Sequence, residues 1–335
     1  MTIKDLSAQT GYSVGTISRV LNNQPNVSEK AREAIMKAAE ESGFQLNANA
    51  KQLKQQHGTS ILVVVKGTSN ELFGKLVEAI QARVAQTRYP LVVDYMDEDN
   101  NEVRRAVQLC LEKKPLGILF LGGNRENFLA DFEKIKVPCV LVTNDAQGLS
   151  FPNLSSVSSD NVQAAKMAIE HLAALGHRRI AVIGGDREVS DTTRQRYRGC
   201  LEAFREYDIA FDETLDYETV RFSYAGGYKA ARSLLEKGRT FTGIFAMSDV
   251  MAIGAIRALQ DAGKKVPEDV SVVGFDGLAI GEYTIPKLAT VVQAVEELAD
   301  RSIRILQESM EGTQPVRYET VPVTMQGKES SRKIG

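Results

Sequence analysis

The chain opens on Thr2-Ile3-Lys4-Asp5-Leu6-Ser7-Ala8-Gln9-Thr10-Gly11-Tyr12-Ser13-Val14-Gly15-Thr16-Ile17-Ser18-Arg19-Val20-Leu21-Asn22. Ile3, Leu6 and Gln9, with Ala8 between them, suit a short first helix. Gly11 supplies a turn position that a side chain would hinder, and Val14, Ile17, Val20 and Leu21 then repeat at helical spacing. Ser13 stands where an N-cap opens the second helix. Val14, Gly15, Thr16 and Ser18 therefore fall early on that helix, with Arg19 one turn further along. Two short helices meeting across a tight turn have the layout of a helix-turn-helix, whose second helix enters a DNA major groove N-terminus first. Two amphipathic helices of an ordinary small bundle would show the same spacing.

The wording of the stretch is more specific than its spacing. Thr2-Ile3-Lys4-Asp5 followed by Val14-Gly15-Thr16-Ile17-Ser18-Arg19-Val20-Leu21-Asn22 resembles the N-termini of the LacI/GalR family of bacterial transcription regulators. The resemblance implies that Arg19 contacts a guanine edge and that Val14 and Gly15 set local sequence preference. Thr2, Ser13, Thr16, Ser18 and Asn22 complete the expected DNA-binding set, contacting phosphate or neighbouring bases.

Downstream, Val27-Ser28-Glu29 starts a third helix with Ser28 as its cap. Ala31, Ile35, Met36 and Ala39 form its apolar stripe, and it ends at Gly43. The polar segment that follows, to Lys54, has few apolar anchors and reads as a linker. The family resemblance implies more there: a hinge helix that folds on operator DNA, with Ala50, Lys51 and Leu53 facing the minor groove and the leucine wedged into a base step. Lys51 stands where family members more often carry arginine.

A chain of 335 residues with 43% hydrophobic side chains suits two or three packed domains. The net charge is −2 overall. Residues 1–58 hold seven cations against five anions, a balance of +2, so the remainder carries −4. A mildly basic reader on an acidic body fits a protein that must release DNA. Cys110, Cys139 and Cys200 are scattered and lack a pairing pattern, as expected of buried thiols in a reducing compartment. No signal peptide and no run of ~18 apolar residues is present, so a cytoplasmic protein without membrane partners is expected.

From Ser60 the texture becomes alternating apolar strands and amphipathic helices: Ile61–Val65, a helix Leu72–Gln86, Pro90–Asp94, a helix Asn101–Lys113, Gly117–Leu121, a helix near Asn127–Lys134, and Pro138–Val142. It resumes after Asp160 with a helix to Leu175, Arg179–Ile183, a helix to Tyr207, a strand near Tyr217–Val220, a helix Ala225–Glu236, Gly243–Met247, a helix to Ala262, and Val270–Phe275. Runs of this kind indicate doubly wound parallel sheets, enough for two units. The predicted fold class is thus α/β. The expected organisation is a helix-turn-helix domain over 1–46, a hinge helix or linker over 47–58, and a body over 59–335 that the resemblance implies to be a two-subdomain, periplasmic-binding-protein-like effector and dimerisation domain. The resemblance extends over this body as well, through Gly176-His177-Arg178-Arg179-Ile180, through Val266-Pro267-Glu268-Asp269-Val270-Ser271-Val272-Val273-Gly274-Phe275-Asp276, and through Leu288-Ala289-Thr290-Val291-Val292-Gln293.

Open parallel sheets place ligands at the carboxyl ends of their strands. Arg196 matches the family arginine that forks onto effector hydroxyls or a carboxylate, and Asp276 the carboxylate that accepts from the ligand. Phe73 and Phe222 match positions where rings flank the ligand. Ser248, Asp249 and Asp160 stand at helix starts beside core strands, where an aspartate also serves as a cap. Thr143-Asn144 replaces the frequent Asp-Arg. The resemblance implies a small-molecule effector, a sugar or sugar derivative, with pseudopalindromic operator DNA and a second copy of the chain as partners. The homodimer is expected to form through the first two helices of the body.

No enzyme, cofactor or metal is expected. His57, His171 and His177 sit in neither nucleophile nor metal spacing, and Gly122-Gly123 and Gly184-Gly185 make only tight turns, without a full nucleotide fingerprint. A cytoplasmic small-molecule-binding protein without operator activity would account for the body alone, and the N-terminal 58 residues argue against it.

Overall fold

A computed structural model describes residues 3–21, 27–42, 59–68, 70–312 and 315–334. The chain divides into two compact units, Met1–His57 and Gly58–Gly335. Thr2, Asn22, Ala50, Lys51 and Leu53 lie outside the described residues.

In the first unit, α1 spans Ile3–Thr10, α2 Val14–Leu21 and α3 Glu29–Glu41. Gly11 takes φ +73° between the first two, and its amide donates to the Ser7 carbonyl. That left-handed conformation is cheap only without a Cβ, so the glycine closes the helix and turns the chain. Leu6, Ile17, Val20, Ile35 and Ala39 bury against one another, one or two from each helix. Met36, assigned to the apolar stripe of α3 by its spacing, lies on the outside of the helix. Ser42 is the C-cap of α3, one residue short of the sequence-predicted stop.

The second unit contains two parallel-dominated six-stranded sheets. The first has the order β11(Tyr318–Val321), β5(Leu154–Ser159), β4(Cys139–Val142), β3(Gly117–Leu121), β1(Ile61–Lys66) and β2(Leu91–Met96). The second runs β12(Val323–Gln326), β10(Ala289–Gln293), β9(Ser271–Asp276), β8(Gly243–Ala246), β6(Ile180–Gly184) and β7(Tyr217–Thr219), with β12 antiparallel to β10. Central strands are buried, apart from Lys66 at the end of β1, as expected of strands covered on both faces by helices. The chain crosses between lobes after β5, after β10 and between β11 and β12. The helix Val295–Met310 returns to the first lobe and packs Leu298, Ile303 and Leu306 into its core.

Apolar periodicity does not reveal the Ser-rich strand β5, because Leu154-Ser155-Ser156-Val157-Ser158-Ser159 is not an apolar run. The strand is nevertheless buried along its whole length. Its hydroxyls find partners: Ser156 Oγ accepts from the Ala146 amide at 3.0 Å, Ser155 Oγ from the Arg317 amide at 3.1 Å, and Ser159 Oγ donates to Gln293 Oε1 at 2.8 Å. A hydrogen-bonded hydroxyl avoids the desolvation cost that would otherwise bar it from a core strand.

Candidate functional site

In the first unit the site is the outer face of α2. Ser13 Oγ accepts from the Thr16 amide at 3.2 Å and forms a 2.9 Å hydrogen bond with Thr16 Oγ1. Ser13 is thus the N-cap its position suggested, and it leaves an orphan-amide helix end suited to anions. Ile17 and Val20 turn into the core. The same 3.6-residue period then sends Val14, Gly15 and Arg19 to the surface, with Thr16 and Ser18 half-buried beside them. A short helix with a small first turn and one exposed arginine can lie in a groove and reach a base edge.

In the second unit a cavity of about 450 Å³ opens at the carboxyl ends of the strands of both sheets. Lys66 ends β1, Gly122 and Gly123 follow β3, and Thr143 and Asn144 follow β4, all lining one wall. Gly185 after β6, Thr219 to Phe222 at the end of β7, and Asp276 at the end of β9 line the other. Phe73 and Phe222 supply rings. The glycines make room for them: a Cβ on Gly122 would lie 3.0 Å from Phe73 Cζ, and one on Gly185 2.7 Å from Phe222 Cε2. The Gly-Gly pairs therefore do more than turn the chain; they seat the two aromatic side chains of the cavity.

Arg196 projects from the helix Asp191–Glu206 and is buried, 4% exposed. Its Nε donates to Asn161 Oδ1 at 2.9 Å and its Nη1 to the Met247 carbonyl, while the guanidinium lies 3.6 Å over the Phe275 ring centroid. Burial lowers its pKa to about 10, against the opposing pull of Asp276 and Asp249, so it stays charged at neutral pH. Asp276 is buried at φ +119°, a backbone region that a non-glycine residue rarely adopts. Its Oδ1 accepts from Gln293 Nε2 at 2.9 Å, whereas Oδ2 has no hydrogen-bond partner. Burial pushes the Asp276 carboxyl above the usual carboxylate range, with Arg196 pulling it back. A buried acceptor without a donor is costly, and a hydroxyl- or amine-bearing ligand would supply the donor.

Of the remaining sequence-predicted residues, Ser248, Asp249 and Asp160 do not line the cavity. Ser248 caps the helix Asp249–Asp261, accepting from the Met251 amide. Asp249 is fully buried: Oδ2 accepts from the Leu278 amide and Oδ1 from the Thr290 hydroxyl, each at 2.6 Å. Burial, then the neighbouring Asp276, pushes its carboxyl up. Asp160 is an exposed cap that accepts from the Gln163 amide at 2.9 Å. Their side chains are taken up by local architecture, the role that helix-start aspartates most often have.

Sequence reasoning missed the mouth of the cavity. Arg221, just past β7, meets the acidic triplet just past β2: Nη2 lies 2.6 Å from both Asp97 Oδ1 and Asp99 Oδ2, and Nε lies 2.8 Å from Glu98 Oε1. Three residues on, the Tyr224 hydroxyl donates to Glu71 Oε1 at 2.6 Å. Both contacts join one lobe to the other. Lys66 reaches the fully buried Glu102 at 2.6 Å. Their signal was positional: each lies within a few residues of a strand's carboxyl end. Among the described residues no His, Cys, Asp or Glu cluster could hold a metal ion, and no helix is long and apolar enough to cross a membrane.

Two family descriptions match the chain: bacterial regulatory proteins of the lacI family over residues 2–47, and a periplasmic binding protein-like domain over residues 169–331. The HTH-type transcriptional regulator MalR of Clostridium butyricum is 34% identical, the match covering 91% of this chain and 92% of that one. The lac repressor dimer bound to operator and the anti-inducer ONPF superposes with a TM-score of 0.80 at 25% identity, covering 99% of both chains. A complex of the transcriptional regulator CelR with cellobiose gives a TM-score of 0.72 at 27% identity, covering 98% of this chain and 99% of that one. The cap, the turn glycine and the outward arginine of α2, together with a two-lobed body and relatives that match along nearly their whole length, place the chain: it belongs to the LacI family of bacterial transcriptional regulators.

Proposed function

We propose that the protein is a repressor whose affinity for a pseudopalindromic operator is controlled by a sugar or sugar derivative bound between the lobes of the second unit. The observation that carries the effector half is Asp276 Oδ2, a buried acceptor without a partner, lining the same cavity as Arg196, Phe73 and Phe222. The carboxylate serves ligand hydroxyls as acceptor and the guanidinium donates from the N–H groups that Asn161 and Met247 leave over, while rings cover the apolar face of a pyranose or furanose. The similar CelR structure holds cellobiose, which supports a carbohydrate here.

For the DNA half, Arg19 reads a guanine edge and Val14 and Gly15 set the fit to neighbouring bases. Thr2, Ser13, Thr16, Ser18 and Asn22 anchor α2 to backbone and adjacent positions. Ala50, Lys51 and Leu53 belong to a hinge that folds in the minor groove. A homodimer presents two recognition helices to half-sites about one helical turn apart, and effector binding acts through the hinge as a coupling between two sites.

The test is a thermal-shift screen of the full chain against pentoses, hexoses, disaccharides and nucleobases. A stabilising sugar whose effect disappears in Arg196→Ala and in Asp276→Ala supports the reading. Stabilisation that survives both substitutions places the effector elsewhere, and stabilisation by nucleobases alone replaces the sugar.

A further inference from the structure

The cavity is charged, and its cations are already engaged. Lys66, Arg196 and Arg221 line it together with Glu98, Asp99, Asp186 and Asp276. Lys66 is held by the buried Glu102 at 2.6 Å and donates also to the Asn100 carbonyl. Arg196 gives one proton from Nε to Asn161 and one from Nη1 to the Met247 carbonyl, and the charges of Asp276 and Asp249 act on it. Arg221 is surrounded by three carboxylates, Asp97, Glu98 and Asp99. One guanidinium against three carboxylates leaves the mouth with an acidic surplus, and deeper in stands Asp276, 2% exposed and with an oxygen lacking any donor.

We infer that the Asp97-Glu98-Asp99 triplet with Arg221 is a charge filter over the effector cavity, which admits neutral polyols and excludes phosphorylated or carboxylated sugars. At Lys66 or Arg221 an anionic ligand would have to displace a carboxylate from a cation that already has one, at Arg196 it would meet Asp276, and it would cross the triplet's field on its way in. Like charges brought together repel, weakly at the solvated Asp97 and Asp99 and more strongly at the half-buried Glu98 and the buried Asp276. A neutral ligand offers hydroxyl donors to the same oxygens without that repulsion. Arg221 also ties the triplet across the mouth to the other lobe, so the filter closes behind the ligand. Exposed ion pairs are individually weak, so this closure yields readily on entry and exit.

This inference rests on the sugar reading above and deepens it to one charge class. Its test is isothermal titration of the full chain with matched pairs: glucose and glucose 6-phosphate, ribose and ribose 5-phosphate, galactose and galacturonate, with cellobiose and inorganic phosphate added. The expected result is binding confined to neutral members, at least tenfold tighter than any anionic counterpart. In the triple variant Asp97→Asn, Glu98→Gln, Asp99→Asn, that preference is expected to shrink or reverse, because Arg221 is left free to meet a phosphate. Asp97, Glu98 and Asp99 side chains are 50%, 29% and 76% exposed and each replacement keeps the side chain's shape, so folding is expected to survive, and circular dichroism checks it. Binding of an anionic member as tight as its neutral partner in the unaltered chain would overturn the filter while leaving the sugar reading standing. An unchanged preference in the triple variant would also overturn it, showing that selection lies elsewhere in the cavity. A panel in which no carbohydrate of either class binds would remove both.

Discussion

Asp276 shows how one residue position carries both strain and chemistry. Its backbone is at φ +119°, its Oδ1 is fixed by Gln293, and its Oδ2 has no partner. Because burial raises its pKa above the ordinary carboxylate value of about 4, the folded protein holds this proton to higher pH than the unfolded chain does. The sign follows: the group's contribution to stability falls as pH rises from about 4 through the raised value, where the charge must be carried in a buried site. Ligand hydroxyls need the charged form, so effector affinity is expected to weaken as pH drops from 8 to 5.5. In Asp276→Asn the affinity should be lower at every pH and nearly flat, as titration calorimetry at the two pH values would show. A steep slope retained in the variant would assign the titration to another group. Arg196 and Asp276 were legible as cavity residues through the family resemblance, and Asp276 also by its place at the carboxyl end of a core strand. Ser248, Asp249 and Asp160 carried the same positional signal, yet a helix start also asks for a cap, and the cap won. Lys66, the triplet and Arg221 gave no motif; only three-dimensional closure of the lobes brings residues 97–99 against residue 221.

At the scale of elements, sequence showed most strands through apolar runs and most helices through 3.6-residue periodicity. It missed β5, where serine hydroxyls satisfied by neighbours replace apolar side chains, and it assigned no element after Phe275, where β10, the helix Val295–Met310, β11 and β12 lie. Helix–helix approach was also invisible, since glycine inside a helix leaves no mark on a hydrophobic pattern. The helix Tyr224–Glu236 packs directly on the helix Asp249–Asp261, and a Cβ on Gly254 would sit 2.1 Å from the Tyr224 carbonyl oxygen. That oxygen is backbone, so a methyl group can be accommodated only by moving a helix. Gly254→Ala is therefore expected to destabilise the second unit by about 1–3 kcal/mol, measurable by urea denaturation. It should also weaken effector binding, because Tyr224 carries the hydrogen bond to Glu71 across the lobes. Unchanged stability would mean the two helices have slack that their geometry does not show.

At the scale of the whole molecule, a reader of DNA and a two-lobed ligand cavity are carried on one chain in two compact units. The lobes are joined by three crossings, and two of them meet in one hydrogen-bonded chain: Ser159 at the end of β5 donates to Gln293 at the end of β10, which donates to Asp276 in the cavity. That chain ties the cavity carboxylate to the strand ends at which the chain passes between lobes. Coupling between effector and operator sites of this kind is typically about 1–3 kcal/mol, or 5- to 150-fold in affinity. The most direct measurement is fluorescence anisotropy of a fluorescent operator, selected from random DNA by the full chain, with and without the sugar found to stabilise the protein. The expected result is a change in operator Kd of that size, absent in Arg196→Ala, together with a loss of about 1–3 kcal/mol in Arg19→Ala that leaves sugar binding intact. An operator affinity identical with and without a sugar that demonstrably binds would contradict the account.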